Sequence, residues 1–472
     1  MQIHVVQTGE SLWSIAQRYQ TTMQEIADAN ELSDPSRLVV GLALIIPSYY
    51  RSHTVQAGET LWSIAQQYNI SLPSLIQANQ LQDVNVIYPG TTLSIPPQTY
   101  LVQPSDTLWS ISNAFGISVQ TLVEANQIDD PNLLYPGTRL IIPSQTKSTI
   151  EVNGYTIDAG EDARNIMEDV GESLTYIMPF AYKIQEDGSL TPFSDDVVLE
   201  MAPLFSVVPI LSITNFTYQD LGSDLANTIL NDASLQNTLL DNILAILNTK
   251  GYQGLNVDFE NVLPEDREAY NAFLQRTVDR LHPEGYSVST AVAPKYSADQ
   301  QGLLYEAHDY EAHGRIVDFV VLMTYEWGYR FGPPRAISPL DEIRNVLDYA
   351  VNVIPRDKLF MGFQLYARDW TLPFEEGQEA ETFSPQEAVN RALQYGATIQ
   401  YNESAQSPFY RYVDAQGQTH EVWFEDARSA QAKFNTVIQY DLKGISYWVL
   451  GYDFPQNWLL LNDTFKIVKN PS

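Results

Sequence analysis

The stretch Gly254-Leu255-Asn256-Val257-Asp258-Phe259-Glu260-Asn261 sets three polar side chains two residues apart in an otherwise apolar run. Side chains alternate along a strand, so Asn256, Asp258 and Glu260 share one face and Leu255, Val257 and Phe259 the other. The two carboxylates then have Cα atoms about 6.6–7 Å apart. Burying them together is costly unless they are hydrogen-bonded or shift their pKa values. Like charges at that range raise one pKa, giving an acid that is still protonated near neutral pH. An acidic patch closing a strand end would read the same way.

These residues need a scaffold that brings strand ends together. From residue 150 onward, apolar strand-like runs alternate with longer helical patterns, with strands expected near 150–156, 174–182, 207–214, 253–260, 286–293, 316–325, 358–366 and 443–450. Eight strands alternating with helices predict an α/β fold, a (β/α)8 TIM-type barrel whose reactive groups sit at the C-terminal strand ends. Residues 234–249 form a helix, with Leu235, Leu239, Ile243 and Leu247 on one face and a stop at Lys250-Gly251. Pro264-Glu265-Asp266 opens another helix just after the carboxylates. The segment at about 372–440 is too long for one crossover. Its helical stretch (385–395) and strand-like pieces (397–401, 410–413, 421–424) predict a small α+β insertion.

The N-terminal third is repetitive. Val6-Gln7-Thr8-Gly9-Glu10-Ser11-Leu12-Trp13-Ser14-Ile15 recurs from Val55 and again from Val102, at offsets of 49 and 47 residues. Each unit reads β-α-α-β. The first helix has one apolar face (Leu12, Ile15, Ala16, Tyr19 in repeat one), and the second starts at an N-cap, Thr22, Ser71 or Ser118, and ends near Asn30, Asn79 or Asn126. Thr22 and Glu25 have capping-box spacing. Leu, Trp and Ile of the recurring Leu-Trp-Ser-Ile are assigned to a small core. The loops are the binding candidates: Gly9-Glu10-Ser11, Gly58-Glu59-Thr60 and, after Ser105, Asp106-Thr107.

All three repeats resemble the LysM module over nearly their full length. The resemblance implies binding of peptidoglycan or another N-acetylglucosamine polymer, with avidity from three weak sites. Boundaries of 1–48, 52–97 and 99–144 follow for the repeats, and 149–472 for the catalytic domain.

The carboxylate strand resembles the DGxDxDxE signature of family-18 glycoside hydrolases. Asp258 and Glu260 match the last two acids, while Gln253 and Asn256 replace the first two aspartates. Met323-Thr324-Tyr325-Glu326 is similar to the family's MxYD, with Glu for Asp, and Trp448 matches its aromatic floor. Together with Ala293-Pro294-Lys295, the set resembles bacterial spore cortex-lytic N-acetylglucosaminidases. What this implies is hydrolysis with retention through the substrate's own acetamide. Glu260 is the acid, Asp258 orients the acetamido group and stays ionised with Asn256 hydrogen-bonded to it, and Tyr325 donates its hydroxyl. Asn256, Met323, Glu326, Trp448, Tyr182, Asn215, Gln364 and Tyr366 are expected to contact substrate or line its groove. Trp327, Trp370 and Trp423 are expected to pack. A chitinase or other endo-N-acetylglucosaminidase, a lectin without activity and a non-catalytic coat protein are the alternatives; Glu260 argues against the lectin, since inactive relatives lose it.

Composition narrows the classes. A formal charge of -32 repels nucleic acid and anionic lipid. There are no cysteines and the six histidines are scattered, so neither disulfides nor a metal site is expected, and no cofactor. No apolar run approaches the ~20 residues of a membrane span. The first residues show no signal peptide. A monomer in the spore coat, cortex or cell wall is the expectation.

Overall fold

The structure, a computed structural model, describes all residues except 20, 48–50, 57, 69, 80, 82–86, 104–105, 116–118, 127, 129, 132, 144–146, 218–219 and 470–472. Ser105 and Ser118, residues 48–50 between the first two repeats and 144–146 ahead of the barrel therefore lie outside the described residues. The chain divides into two compact units. One comprises Met1–Val5, Gly9–Ser36 and Leu44–Lys147, the other Val6–Thr8, Arg37–Ala43 and Ser148–Ser472.

Each repeat folds as β-α-α-β. Repeat two runs Arg51–Thr54, Leu61–Gln67, Leu72–Ala78 and Thr92–Ile95, its two strands antiparallel. Val55, Leu61, Ile64, Ala65, Leu75, Leu93 and Ile95 make its core. In repeat one Thr22 and Glu25 form the expected capping box. One asparagine ties each repeat together. Asn79 Nδ2 donates to Leu75 O (2.8 Å) and Ser94 O (2.7 Å), and its Oδ1 accepts from Ser94 N. Asn30 binds Ile26 O and Ile45, and Asn126 binds Leu122 O and Ile141, in the same pattern. The helix end and the closing strand thus satisfy their backbone groups through one amide.

The tryptophans depart from expectation. Trp13, Trp62 and Trp109 are 60%, 63% and 69% exposed. Leu12, Ile15 and Ala16 already fill the buried stripe of the first helix, and the residue after Leu12 lies about 100° around the axis, outside it. Tyr88 and Tyr135, in the turn before the closing strand, are also largely exposed.

In the second unit, eight parallel strands close a barrel among the described residues: β1 (Ser148–Thr156), β2 (Tyr176–Pro179 and Tyr182–Ile184), β3 (Val208–Pro209 and Leu211–Thr214), β4 (Gly254–Asp258), β5 (Ser287–Val292), β6 (Phe319–Leu322), β7 (Leu359–Gln364) and β8 (Gly444–Trp448). Each pairs with its sequence neighbours, and β8 pairs with β1. The helix before β4 spans Ala233–Lys250, opened by Asp232 accepting from Ser234 N and Leu235 N and closed by Gly251 at φ +82°, a left-handed position that favours glycine. The insertion is an antiparallel five-stranded sheet, Ala367–Leu372, Glu381–Phe383, Gln400–Asn402, Ser407–Val413 and Thr419–Trp423, with helix Pro385–Tyr395. It begins earlier than expected from sequence, and the helix Ala427–Tyr440 that follows leads back into β8 as a barrel crossover.

The asparagine tie can be tested one repeat at a time. Asn79→Ala strips partners from Ser94 N–H and two carbonyls, at a cost of about 1–3 kcal/mol for buried groups left unpaired. Hydrogen exchange at the Ser94 amide should accelerate in that variant while the barrel amides keep wild-type protection. Unchanged protection at Ser94 would contradict the tie.

Candidate active site

β4 delivers the carboxylates as its alternation requires. Phe259 points outward and stacks on Tyr270 and Phe273 of helix Arg267–Leu281, at 5.6 and 5.8 Å between ring centres. Asn256 and Asp258 point into the barrel. Asn256 stands level with Ser212 on β3 and Ser289 on β5. Its Oδ1 accepts from Tyr155 Oη (3.1 Å) and Ser212 Oγ (3.4 Å), and its Nδ2 donates to Ser289 Oγ (3.0 Å). Asn256 is fully buried. It therefore forms a floor under Asp258 rather than a substrate contact, and its amide is committed to these three groups instead of to Asp258.

Asp258 is buried, and its Oδ1 has no hydrogen-bond partner among the described residues. Burial, then the neighbouring Glu260 charge, holds its carboxyl well above the usual range. Against the expectation of an ionised Asp258, burial and the Glu260 charge disfavour its ionised form, and Asn256 brings no charge to offset them. Glu260 lies two residues past the end of the strand and is partly accessible. Burial, then the Glu326 carboxylate, pushes it up to about 7. The two titrate as a pair and retain a proton where ordinary carboxyls have lost theirs.

Tyr325 is buried beside them, and burial with the nearby Tyr155, Asp258, Tyr366 and Glu260 raises its hydroxyl. Its ring passes so close to β7 that a Cβ on Gly362 would stand 2.9 Å from Tyr325 Cε1 and 2.4 Å from Leu322 O. Glycine is what the close approach permits. Trp448 meets Phe180 edge-on at 4.8 Å and Tyr155 at 5.6 Å, and Met323 packs partly buried against the same cluster. Glu326 adopts φ +71°, a left-handed backbone uncommon for glutamate. Arg368 grips it with two bonds, Nη2 to Oε1 (2.8 Å) and Nη1 to Oε2 (3.0 Å), and Tyr366 Oη donates to Oε1.

The structure therefore brings Asp258, Glu260, Tyr325, Glu326, Met323 and Trp448 into one neighbourhood and reassigns four other residues. Tyr366 serves Glu326. Tyr182 is buried with its hydroxyl on Asp195, in a cluster with Lys250 and Tyr252. Gln364 is buried and donates to Glu425, itself paired with buried Lys433. Asn215 binds the Glu260 backbone. In each case a neutral polar side chain near a strand end satisfies a buried or half-buried partner, which costs less than leaving either group bare. Trp370 and Trp423 pack as expected; Trp327 is half-buried and donates to Tyr296 Oη. Sequence reasoning missed Tyr155, which alternation from Asn153 places on the inward face of β1, and Arg368, which lies on the first strand of the insertion. In the repeats Glu10, Glu59 and Asp106 bond His4, His53 and Tyr100 (2.7, 2.7 and 2.9 Å), bracing their loops.

Eight closed strands and an acid pair at the mouth define a barrel glycosidase. The Glycosyl hydrolases family 18 profile matches residues 210–453, and the LysM domain profile matches 4–47, 53–96 and 100–143. This chain belongs to glycoside hydrolase family 18 and carries LysM domains at its N-terminus. It is 43% identical to the cortical fragment-lytic enzyme of Bacillus subtilis (strain 168) over 99% of both chains. The crystal structure of the Bacillus cereus spore cortex-lytic enzyme SleL superposes with a TM-score of 0.78 at 38% identity, over 99% of this chain and 98% of that one. A chitinase from Chromobacterium violaceum shares the fold, with a TM-score of 0.62 at 23% identity over 67% of this chain.

The raised Glu260 pKa has a consequence for stability. Between the usual carboxylate value of 4.5 and about 7, the folded chain holds a proton that the unfolded chain has lost. Stability contributed by that site therefore falls as pH rises through this window. Glu260→Gln should gain melting temperature over wild type from pH 4 to pH 8. A constant difference across that range would contradict the shift.

Proposed function

We propose that this chain hydrolyses N-acetylglucosaminyl bonds in spore cortex peptidoglycan or its fragments, by substrate-assisted retention. The observation that carries the reading is a buried acid pair: Glu260, pushed up to about 7, beside an Asp258 oxygen that has no hydrogen-bond partner among the described residues. In the reactive form Glu260 holds the proton and Asp258 the charge, a distribution favoured as positive charge develops on the sugar. Glu260 protonates the glycosidic oxygen. As that bond breaks, the acetamido carbonyl oxygen bonds to the anomeric carbon and forms an oxazolinium ion. Asp258 Oδ1 receives the acetamido N–H, and Tyr325 donates its hydroxyl to the acetamido oxygen. Water then gives a proton to Glu260 and its oxygen to the anomeric carbon, which restores the acid and retains configuration. Trp448 supplies the floor and Glu326, aimed by Arg368, a polar contact. Full-length likeness to cortex-lytic enzymes supports the substrate and a working place at the spore cortex or cell wall.

The repeats hold the enzyme on its polymer. Their exposed Trp13, Trp62 and Trp109 offer apolar faces to sugar rings, beside the turns that carry Tyr88 and Tyr135. Gly90 N–H binds Val55 O, and Gly137 N–H binds Val102 O, which brings that turn against the start of the loop leading to the tryptophan.

Two experiments test this. Wild type and Glu260→Gln are incubated with cortex fragments, vegetative peptidoglycan and chitin oligomers, and new reducing ends are identified by mass spectrometry. Reducing N-acetylglucosamine from cortex fragments, lost in the variant, is expected. Products from chitin alone would transfer the assignment to a chitinase, and equal activity in the variant would remove Glu260 as the acid. Separately, replacing Trp13, Trp62 and Trp109 with alanine should weaken co-sedimentation with insoluble peptidoglycan by about 10²-fold, the scale of lost avidity, with hydrolysis of soluble fragments unchanged. Undiminished sedimentation would rule the tryptophans out.

A further inference from the structure

Past the end of β4 the strand ladder can no longer hold the backbone that carries Glu260. Side chains take over. Asn215, at the end of β3, accepts from Glu260 N at Oδ1 (2.9 Å) and donates from Nδ2 to Glu260 O (2.8 Å) and Gly222 O (3.1 Å). Ser223 Oγ donates to Asn261 O at 2.6 Å. On the other side His308 Nε2 lies 2.9 Å from Phe259 O, and His308 Nδ1 lies 2.9 Å from Ala293 N.

The amide of Ala293 can only donate, so Nδ1 accepts and the proton of the neutral ring resides on Nε2, aimed at Phe259 O. Burial pushes this histidine down to about 4, which keeps it neutral. His308 is itself anchored. The ammonium of Lys295, almost fully buried, donates to His308 O (3.0 Å), while Tyr310 Oη donates to Ala293 O (2.6 Å) and accepts from Lys295 N (3.0 Å). The Ala293-Pro294-Lys295 segment, for which the chemistry of the site has no direct use, is thereby locked to residues 308–310, and through them to the carbonyl next to Glu260.

We infer that Asn215 and His308 are positioning residues that clamp the Glu260 peptide from two sides and hold its carboxyl in the proton-donating pose. The inference rests on Glu260 being the acid. Neither residue needs to touch substrate. A displacement of about 1 Å at the reacting group is enough to cost about 10²-fold in rate, so loss of the clamp should appear in turnover and leave binding alone.

The test uses the full chain and soluble cortex fragments, with Asn215→Asp, Asn215→Ala, His308→Phe and His308→Gln. Asn215→Asp keeps the acceptor for Glu260 N and removes the donor to Glu260 O. His308→Gln keeps one donor and one acceptor; His308→Phe keeps neither. For variants with a melting temperature above the assay temperature, kcat should fall 10–100-fold with KM within about threefold of wild type. His308→Gln should recover part of what His308→Phe loses. Folded variants of both residues with kcat within twofold of wild type would overturn the clamp, as would equal loss in the phenylalanine and glutamine variants. If Glu260→Gln is itself active on the same probe, the assignment of the acid fails and not the clamp alone.

Discussion

Two carboxyl groups, Asp258 and Glu260, have to stand side by side in the mouth of an apolar barrel with only negative charge acting on them. Removing ionised groups from water costs several kcal/mol each unless a proton or a partner compensates. Here the compensation is the proton. Asn256 fits the same economy: an aspartate in its place would add a third buried charge, whereas the amide completes a neutral lattice with Tyr155, Ser212 and Ser289. Glu326 supplies the remaining negative field, and its own charge is held by Arg368. Glu260 is consequently poised near neutrality by burial first and by neighbours second.

A raised pKa is useful only if the group is also aimed, and here the barrel divides its labour between faces. Leu255 and Val257 bury the outward face of β4, and Phe259, the next residue after the strand, stacks on helix aromatics. The inward residues form layers of hydrogen bonds at matched register. Beyond the strand end neither device operates, and the backbone passes into the hold of polar side chains from β3 and from the segment after β5. Close approach adds a further constraint at Gly362, where the absence of a side chain lets Tyr325 reach the acid pair.

The repeats solve a different problem with less material. A module of some forty-five residues has little apolar surface to bury, and three are present in series. Each closes with one asparagine that pairs with both a helix end and a strand, and the tryptophan of the first helix stays largely exposed. Glu10 and Glu59, placed among ligand contacts by their loop position, are bonded to histidines of the same repeat.

Much of this was legible from the chain alone, because its signals are local. Period-two alternation puts Asp258 inward and Phe259 outward; period-3.6 spacing and a terminal glycine define the helix Ala233–Lys250; a repeat of nearly fifty residues announces itself by identity. Hidden from sequence was which partner each polar side chain meets. Asn215, Gln364, Tyr182 and Tyr366 all sit at strand ends and looked equally able to line a groove, yet their partners, the Glu260 backbone, Glu425, Asp195 and Glu326, are 45, 61, 13 and 40 residues away in the chain. The exposure of Trp13 was equally hidden, since an apolar residue beside a buried stripe reads as part of it until the core is seen to be full. Residue type and spacing determine the chemistry available at a strand end. Only closure of the barrel, which brings distant ends within 3 Å, decides whether a side chain faces the substrate or holds the residue that does.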